Sequence, residues 1–250
     1  TIAPLIPTDI KSYVEPFGGG GWVLFYKPRW ADLEIYNDLD GRLVNLFRIV
    51  KYHPEALKEE LRYLLGSREM FVQFLNSKPY TDIQKAVQFL FLITRSFGGR
   101  GETFGTVKKS SGGASKSQTN ILFKIDAIHK RLDKVLVENR DFEKLIKQYD
   151  HEDAFFYCDP PYLHATRGDT KAYGFEMDEG QHREFAEVVN ECKGMVAVSG
   201  YDHPLMDELF KPGRWFKTQG PDKTIHSTKG KRSEVLWTNY DPKNQKGLFE

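Results

Sequence analysis

Short apolar runs rich in β-branched and aromatic residues alternate with amphipathic helical patterns along most of this chain, and the alternation stops between about residues 54 and 131. This alternation constrains the fold more than any other feature. Strand–helix repeats close into a parallel sheet covered by helices, an α/β architecture. Strands are expected at 12–15, 33–36, 134–138, 154–158, 195–199 and 234–239, with helices after most of them. One helix is expected at 39–52, carrying Leu43, Leu46, Phe47 and Val50 on one stripe. Another opens at Asp178, which has capping-box spacing to Gln181 ahead of Phe185, Val188 and Val189.

In the interrupted stretch, 54–65 and 67–76 read as amphipathic helices. Segment 82–97 is apolar nearly all round, as a buried helix is. A glycine-rich stretch follows, then the basic run Lys108-Lys-Ser-Ser-Gly-Gly-Ala-Ser-Lys-Ser, which reads as a loop. The pattern predicts one α/β domain, residues 1–53 and 132–250, holding a mostly helical insert at 54–131.

The 250 residues suffice for a full core, and a formal charge of +1 means that any nucleic-acid contact needs a local basic face. Two cysteines, Cys158 and Cys192, cannot frame a small domain, and no Cys/His spacing suits zinc, so a cytoplasmic, metal-free protein is expected. Cys158 lies inside a strand and reads as packed. His164 and His182 are candidates for substrate contact but read more simply as exposed loop and helix histidines, and Trp215 and Trp237 as core. No apolar run reaches the roughly 18 residues of a membrane span, and no membrane association is expected.

Three constellations carry chemistry. In Tyr13-Val-Glu-Pro-Phe-Gly-Gly-Gly-Gly-Trp22 a strand runs into consecutive glycines, which let a ligand lie against bare backbone. The dinucleotide fingerprint is absent, since its third glycine falls at Val23 or Leu24. Taken alone the segment is a ligand loop or a tight turn. Asp38, about 20 residues beyond, stands where nucleotide folds place an acid on ribose hydroxyls; Asp38 or Asp40 also suits a helix N-cap. In Phe155-Phe-Tyr-Cys-Asp-Pro-Pro-Tyr162 an apolar strand ends in an acid, two prolines and a ring. Asp159 and the Pro160 carbonyl are suited to accept both hydrogens of an exocyclic amine, and Tyr162 to stack on its base. A proline-stiffened turn capped by Asp159 is the bland alternative.

In their order, Glu15-Pro-Phe-Gly-Gly-Gly-Gly, Asn37-Asp38, Asn139-Arg-Asp-Phe142 and Asp159-Pro-Pro-Tyr162 resemble the Dam-type (D12 class) DNA adenine-N6 methyltransferases. Ser199-Gly-Tyr and Arg232-Ser-Glu-Val-Leu-Trp-Thr-Asn resemble that family's late motifs, so the likeness runs from about Leu5 to Tyr240. It implies a Rossmann-like methyltransferase sheet, S-adenosylmethionine as methyl donor, double-stranded DNA as partner and a target-recognition role for the insert. It further implies that Glu15, Pro16, Phe17, Gly18, Gly19 and Gly20 lie along the donor, with Asp38 on its ribose and Asp141 and Phe142 at its adenine. Asp159 faces both donor and target, with Pro160 and Tyr162 beside it. Arg95, Arg100, Lys108 and Lys109 fall where phosphate contacts belong, although a solvated basic loop reads the same way. A companion restriction endonuclease is a partner such enzymes admit.

Members usually carry a Gly-Gly-Lys motif upstream of Leu5-Ile-Pro, whereas this chain opens at Thr1, and truncation is the expectation. The mechanism implied is extrusion of an adenine and direct in-line transfer, which needs no nucleophilic cysteine. Methylation of cytosine N4 or of RNA, or a DNA-binding module with impaired catalysis, are the alternatives.

Overall fold

The computed structural model describes residues 2–105, 118–163, 176–224 and 231–243. Its sheet has seven strands: β1 (Ser12–Glu15), β2 (Leu33–Asn37), β3 (Val135–Glu138), β4 (Ala154–Cys158), β5 (Met195–Tyr201), β6 (Phe216–Thr224) and β7 (Lys231–Thr238). Their order is β3-β2-β1-β4-β5-β7-β6. β1 pairs in parallel with both β2 and β4, and β4 with β5; β7 runs antiparallel to β5 and β6. This is the α/β sheet that the strand–helix alternation predicts, in the Rossmann-like form that the resemblance implies. The order reverses between β1 and β4. At such a switch point the connections leave in opposite directions, and a crevice opens outside the strands' carboxyl ends.

Alternate residues along the strands make one apolar face. Val14, Ile35, Phe156, Cys158, Val196, Val198, Val235 and Trp237 gather there with Leu145 and Ile146 of α6 (Phe142–Tyr149) and Phe185 and Val189 of α7 (Glu179–Glu191). Trp215 and Trp237 are core residues, as expected. Asp178 caps α7 in a complete capping box with Gln181. His182 departs from expectation, being 1% exposed on the inward face of α7. His164 lies outside the described residues.

The chain divides into two compact units, Thr1–Leu39 with Glu138–Glu250, and Asp40–Val137. The second unit consists largely of helices: α1 (Gly41–Tyr52), α2 (Pro54–Arg62), α3 (Arg68–Asn76), α4 (Asp82–Arg95) and α5 (Gln118–Leu132). It begins earlier than the insert boundary expected at residue 54, because the apolar side of α1 packs on α4 and α5. No strand of the sheet lies between residues 54 and 131 among the described residues. Thr81 and Gln84 form a capping box at the start of α4, and Asn45 Nδ2 donates to the Asp82 carbonyl at 2.8 Å. α4 is less buried than its composition suggests, with only Ala86, Val87 and Phe91 fully covered. Its other apolar residues are half-exposed, although α4 packs on α1, α2 and α3.

Beyond α4 the chain doubles back. Phe97 N–H donates to the Thr103 carbonyl and Gly105 N–H to the Arg95 carbonyl, each at 2.8 Å. β6 has no counterpart among the strands expected from sequence. Its residues are mostly polar, and Gly220-Pro221 interrupts the ladder where the register shifts between Gln219 and Asp222. Only an edge strand tolerates a proline in this way. The short helix α8 (Pro204–Leu209) was likewise not expected.

Candidate active site

Each strand feeding the switch point delivers one motif. β1 is central, so Tyr13, Val14 and Glu15 are all buried. Tyr13 stacks on Trp30 (5.3 Å between centroids) and on Phe155 (5.8 Å), and its hydroxyl donates to Glu15 Oε1 at 2.5 Å. Residues two apart on a strand share a face, which allows this bond. Burial, reinforced by the Glu15 carboxylate, keeps the Tyr13 phenol protonated well above its ordinary range. The bond from Tyr13 orients the Glu15 carboxyl at the end of the strand.

The glycine loop is fastened to the end of β2. Gly18 N–H donates to the Asn37 carbonyl at 2.7 Å, the Tyr36 hydroxyl donates to the Gly19 carbonyl at 2.7 Å, and Gly19 N–H donates to Asp38 Oδ2 at 2.8 Å. A Cβ on Gly18 would stand 2.2 Å from the Tyr36 ring, so no other residue fits there. Gly19 has φ +49°, and a Cβ built on it meets nothing within 4 Å. Bare backbone therefore faces open space, the cradle that the sequence suggested. Trp22, directly after the loop, is 86% exposed, and its Nε1 would be 2.9 Å from a Cβ on Gly20.

Asn37 joins three motifs. Its Nδ2 donates to the Pro16 carbonyl at 2.8 Å and the Arg140 carbonyl at 3.0 Å, while its Oδ1 accepts from Arg140 N–H at 2.8 Å. Asn139 Nδ2 donates to the Asp38 carbonyl at 2.7 Å. The helix-cap alternative for the acids resolves in two ways. Asp40 caps α1, and Asp38 instead tethers the glycine loop. Asp141 caps α6 through Glu143 N–H at 2.9 Å. Phe142 meets Phe17 at 5.5 Å and Phe185 at 5.6 Å between centroids; Phe17 and Phe142 are half-buried and Phe185 is wholly buried.

On the other side of β1, the five residues of β4 are wholly buried, and the next one, Asp159, is exposed. Ser199 Oγ on β5 donates to Asp159 Oδ1 at 2.8 Å. The Tyr162 ring stands edge-on to Tyr201 at 4.7 Å. Burial raises the Tyr162 phenol far above its ordinary range, and the neighbouring Asp159 carboxylate, to which it hydrogen-bonds, raises it further. The Tyr157 phenol is raised by burial and then by Asp159, with a smaller contribution from Glu15; Asp159 and Glu15 thus bear on one hydroxyl from adjacent strands. The Cys158 thiol is fully buried and pushed well up by burial, so it is no nucleophile at neutral pH. A small cleft is lined by Pro160, Tyr162, Ser199, Tyr201, His182 and Met206, among others.

Glu15, Pro16, Phe17, Gly18, Gly19, Gly20, Asp38, Asp141 and Phe142 are thus gathered around β1 and β2, with Asp159, Pro160 and Tyr162 at the end of β4. Asn37, Tyr157 and Ser199 were not read as site residues, although each stands inside a motif that the sequence displays. Arg95 and Arg100 belong to the helical unit; Arg95 is half-buried against Gly66, and Arg100 is exposed. Lys108 and Lys109 lie outside the described residues. Among the described residues no His/Cys/Asp/Glu group suits a metal ion, and no helix is long and apolar enough to cross a membrane.

A family model described as D12 class N6 adenine-specific DNA methyltransferase matches residues 1–226. Among curated proteins, the Type II methyltransferase M1.LlaDCHI of Lactococcus lactis subsp. cremoris is 27% identical over 268 residues, covering 94% of this chain and 89% of its own length. The Type II methyltransferase M.MjaIII of Methanocaldococcus jannaschii is 28% identical over 193 residues, covering 68% of this chain and 66% of its own.

Proposed function

The chain belongs to the D12 class of N6 adenine-specific DNA methyltransferases, with S-adenosylmethionine as methyl donor, and on that premise we propose how its residues divide the work. The donor fits the residues present. Bare backbone at Gly19 faces open space; the buried carboxylate of Glu15 ends the strand that leads into the loop, and the half-exposed carboxylate of Asp38 accepts from Gly19 N–H. Such acids suit an ammonium group and vicinal hydroxyls, respectively. Glu15, Pro16, Phe17, Gly18, Gly19 and Gly20 hold the methionine end, Asp38 the ribose, and Asp141 and Phe142 the adenine side. When bound, the donor supplies an electrophilic methyl group.

The target adenine is taken out of the duplex, since N6 inside a base pair cannot meet a donor held at the sheet. Asp159 and the Pro160 carbonyl accept the two amine hydrogens and turn the nitrogen lone pair toward the methyl group. The ring of Tyr162 stacks on the extruded base. The helical unit serves target recognition, with Arg95, Arg100, Lys108 and Lys109 meeting phosphates. The relatives are named Type II methyltransferases. We carry over a cytoplasmic modifying role that shields DNA from a companion restriction endonuclease.

The observation that supports this reading best is the single exposed carboxylate ending an entirely buried strand at the switch point. Asp159→Ala removes an acceptor and no core volume, so circular dichroism should be unchanged. Transfer of labelled methyl to duplex DNA should fall by about 100-fold or more. Retention of more than about a tenth of the wild-type rate sinks the assignment.

A further inference from the structure

Asp159 is held by one buried hydroxyl, which is itself held by a second. The pairing of β4 with β5 sets Cys158 opposite Val198, so the next residue along each strand, Asp159 and Ser199, also meet. Ser199 is 7% exposed and Tyr157 6%. Ser199 Oγ is 2.8 Å from Asp159 Oδ1, 3.4 Å from the Cys158 carbonyl and 3.1 Å from the Tyr157 hydroxyl. A serine has one hydrogen to give, and the short contact to a carboxylate claims it. The Tyr157 hydroxyl must then be the donor to Ser199. The bonds run one way, from Tyr157 to Ser199 to Asp159.

We infer that Ser199 and Tyr157 are positioning residues for methyl transfer, fixing the carboxylate of Asp159 in the orientation that meets the target amine. The inference rests on the role given to Asp159 above. The terminal torsion of a carboxylate is broad, and the bond from Ser199 adds to that from Tyr162 in fixing it. Its two oxygens offer about four lone-pair sites, so the bond from Ser199 leaves room for an amine hydrogen. Tyr157 acts on the reaction only through Ser199.

The test is steady-state methylation of duplex DNA by Ser199→Ala, Tyr157→Phe, the double variant, Ser199→Thr and Asp159→Ala, with melting temperature and donor affinity measured for each. Ser199→Ala should lower kcat by about 10–100-fold, the usual effect of losing a group that orients a reacting one, with KM for DNA and donor affinity within about twofold. Ser199→Thr, which keeps the hydroxyl, should recover most of the loss. Tyr157→Phe should cost several-fold alone and nothing further in the Ser199→Ala background, because the two act in series. A Ser199→Ala kcat within about twofold of wild type, with Asp159→Ala inactive, overturns the inference and leaves the role of Asp159 standing. Additive losses that track melting temperature also overturn it, since they mark a packing role. An active Asp159→Ala overturns the reading beneath. If Ser199→Ala does not fold, Tyr157→Phe carries the same kcat-against-KM test.

Discussion

At the scale of single residues, chemistry was legible where a motif is contiguous and hidden where the fold assembles it. Asp159 announces itself between an apolar strand and two prolines. Ser199 lies 40 residues away from it, and only the β4–β5 register makes them neighbours. Asp38 stands out by its spacing from the glycines, and the structure shows it bonded to Gly19 N–H. Asp38→Ala should therefore raise the donor dissociation constant about 10–100-fold by calorimetry, through lost charge-assisted bonds and a loosened loop. Unchanged affinity would leave Asp38 with no part in donor binding. Tyr162→Phe keeps the ring and its edge contact with Tyr201 while losing the hydroxyl beside Asp159. We expect a loss of a few-fold for Phe. For Ala the loss should be much larger and fall mainly on the DNA constant, because base stacking is worth about 1–3 kcal/mol. Equal losses would move the effect from the ring to the phenol.

At the scale of elements, a strand shows itself in sequence when both its faces are covered. β1 and β4 match their expected bounds, whereas the polar edge strand β6 carries no such signal. The composition of α4 overstated its burial, since periodicity reports which side is apolar and not what covers it. What joins the elements is also silent in sequence. Asn37 is 1% exposed and bonds the ends of β1 and β2 to the start of the Arg140 segment. Asn37→Ala leaves several buried polar groups unpaired, at about 1–3 kcal/mol each. The melting temperature should fall, and added S-adenosylmethionine should recover less of it than in the wild type, because the glycine loop loses its anchor. A fall fully recovered by saturating donor would show that the loop keeps its shape without Asn37.

At the scale of the molecule, the break in alternation at 54–131 falls inside the compact unit of residues 40–137, whose edges the sequence does not display. The stripe on α1 reads the same whether a sheet or another helix covers it, so only the packing of α1 on α4 and α5 assigns it to the helical unit. Each unit has its own buried side chains, and Leu57 of α2 is 0% exposed. Leu57→Ala should cost about 2–5 kcal/mol in a core of this kind. All four tryptophans, Trp22, Trp30, Trp215 and Trp237, belong to the unit of residues 1–39 and 138–250. In a urea titration of Leu57→Ala, ellipticity at 222 nm should therefore begin to fall at lower denaturant than in the wild type, with the midpoint of indole emission in place. Both midpoints moving together would mean a single cooperative block. The sheet unit thus carries every intrinsic fluorophore of the indole type, and under red-edge excitation the helical unit is dark.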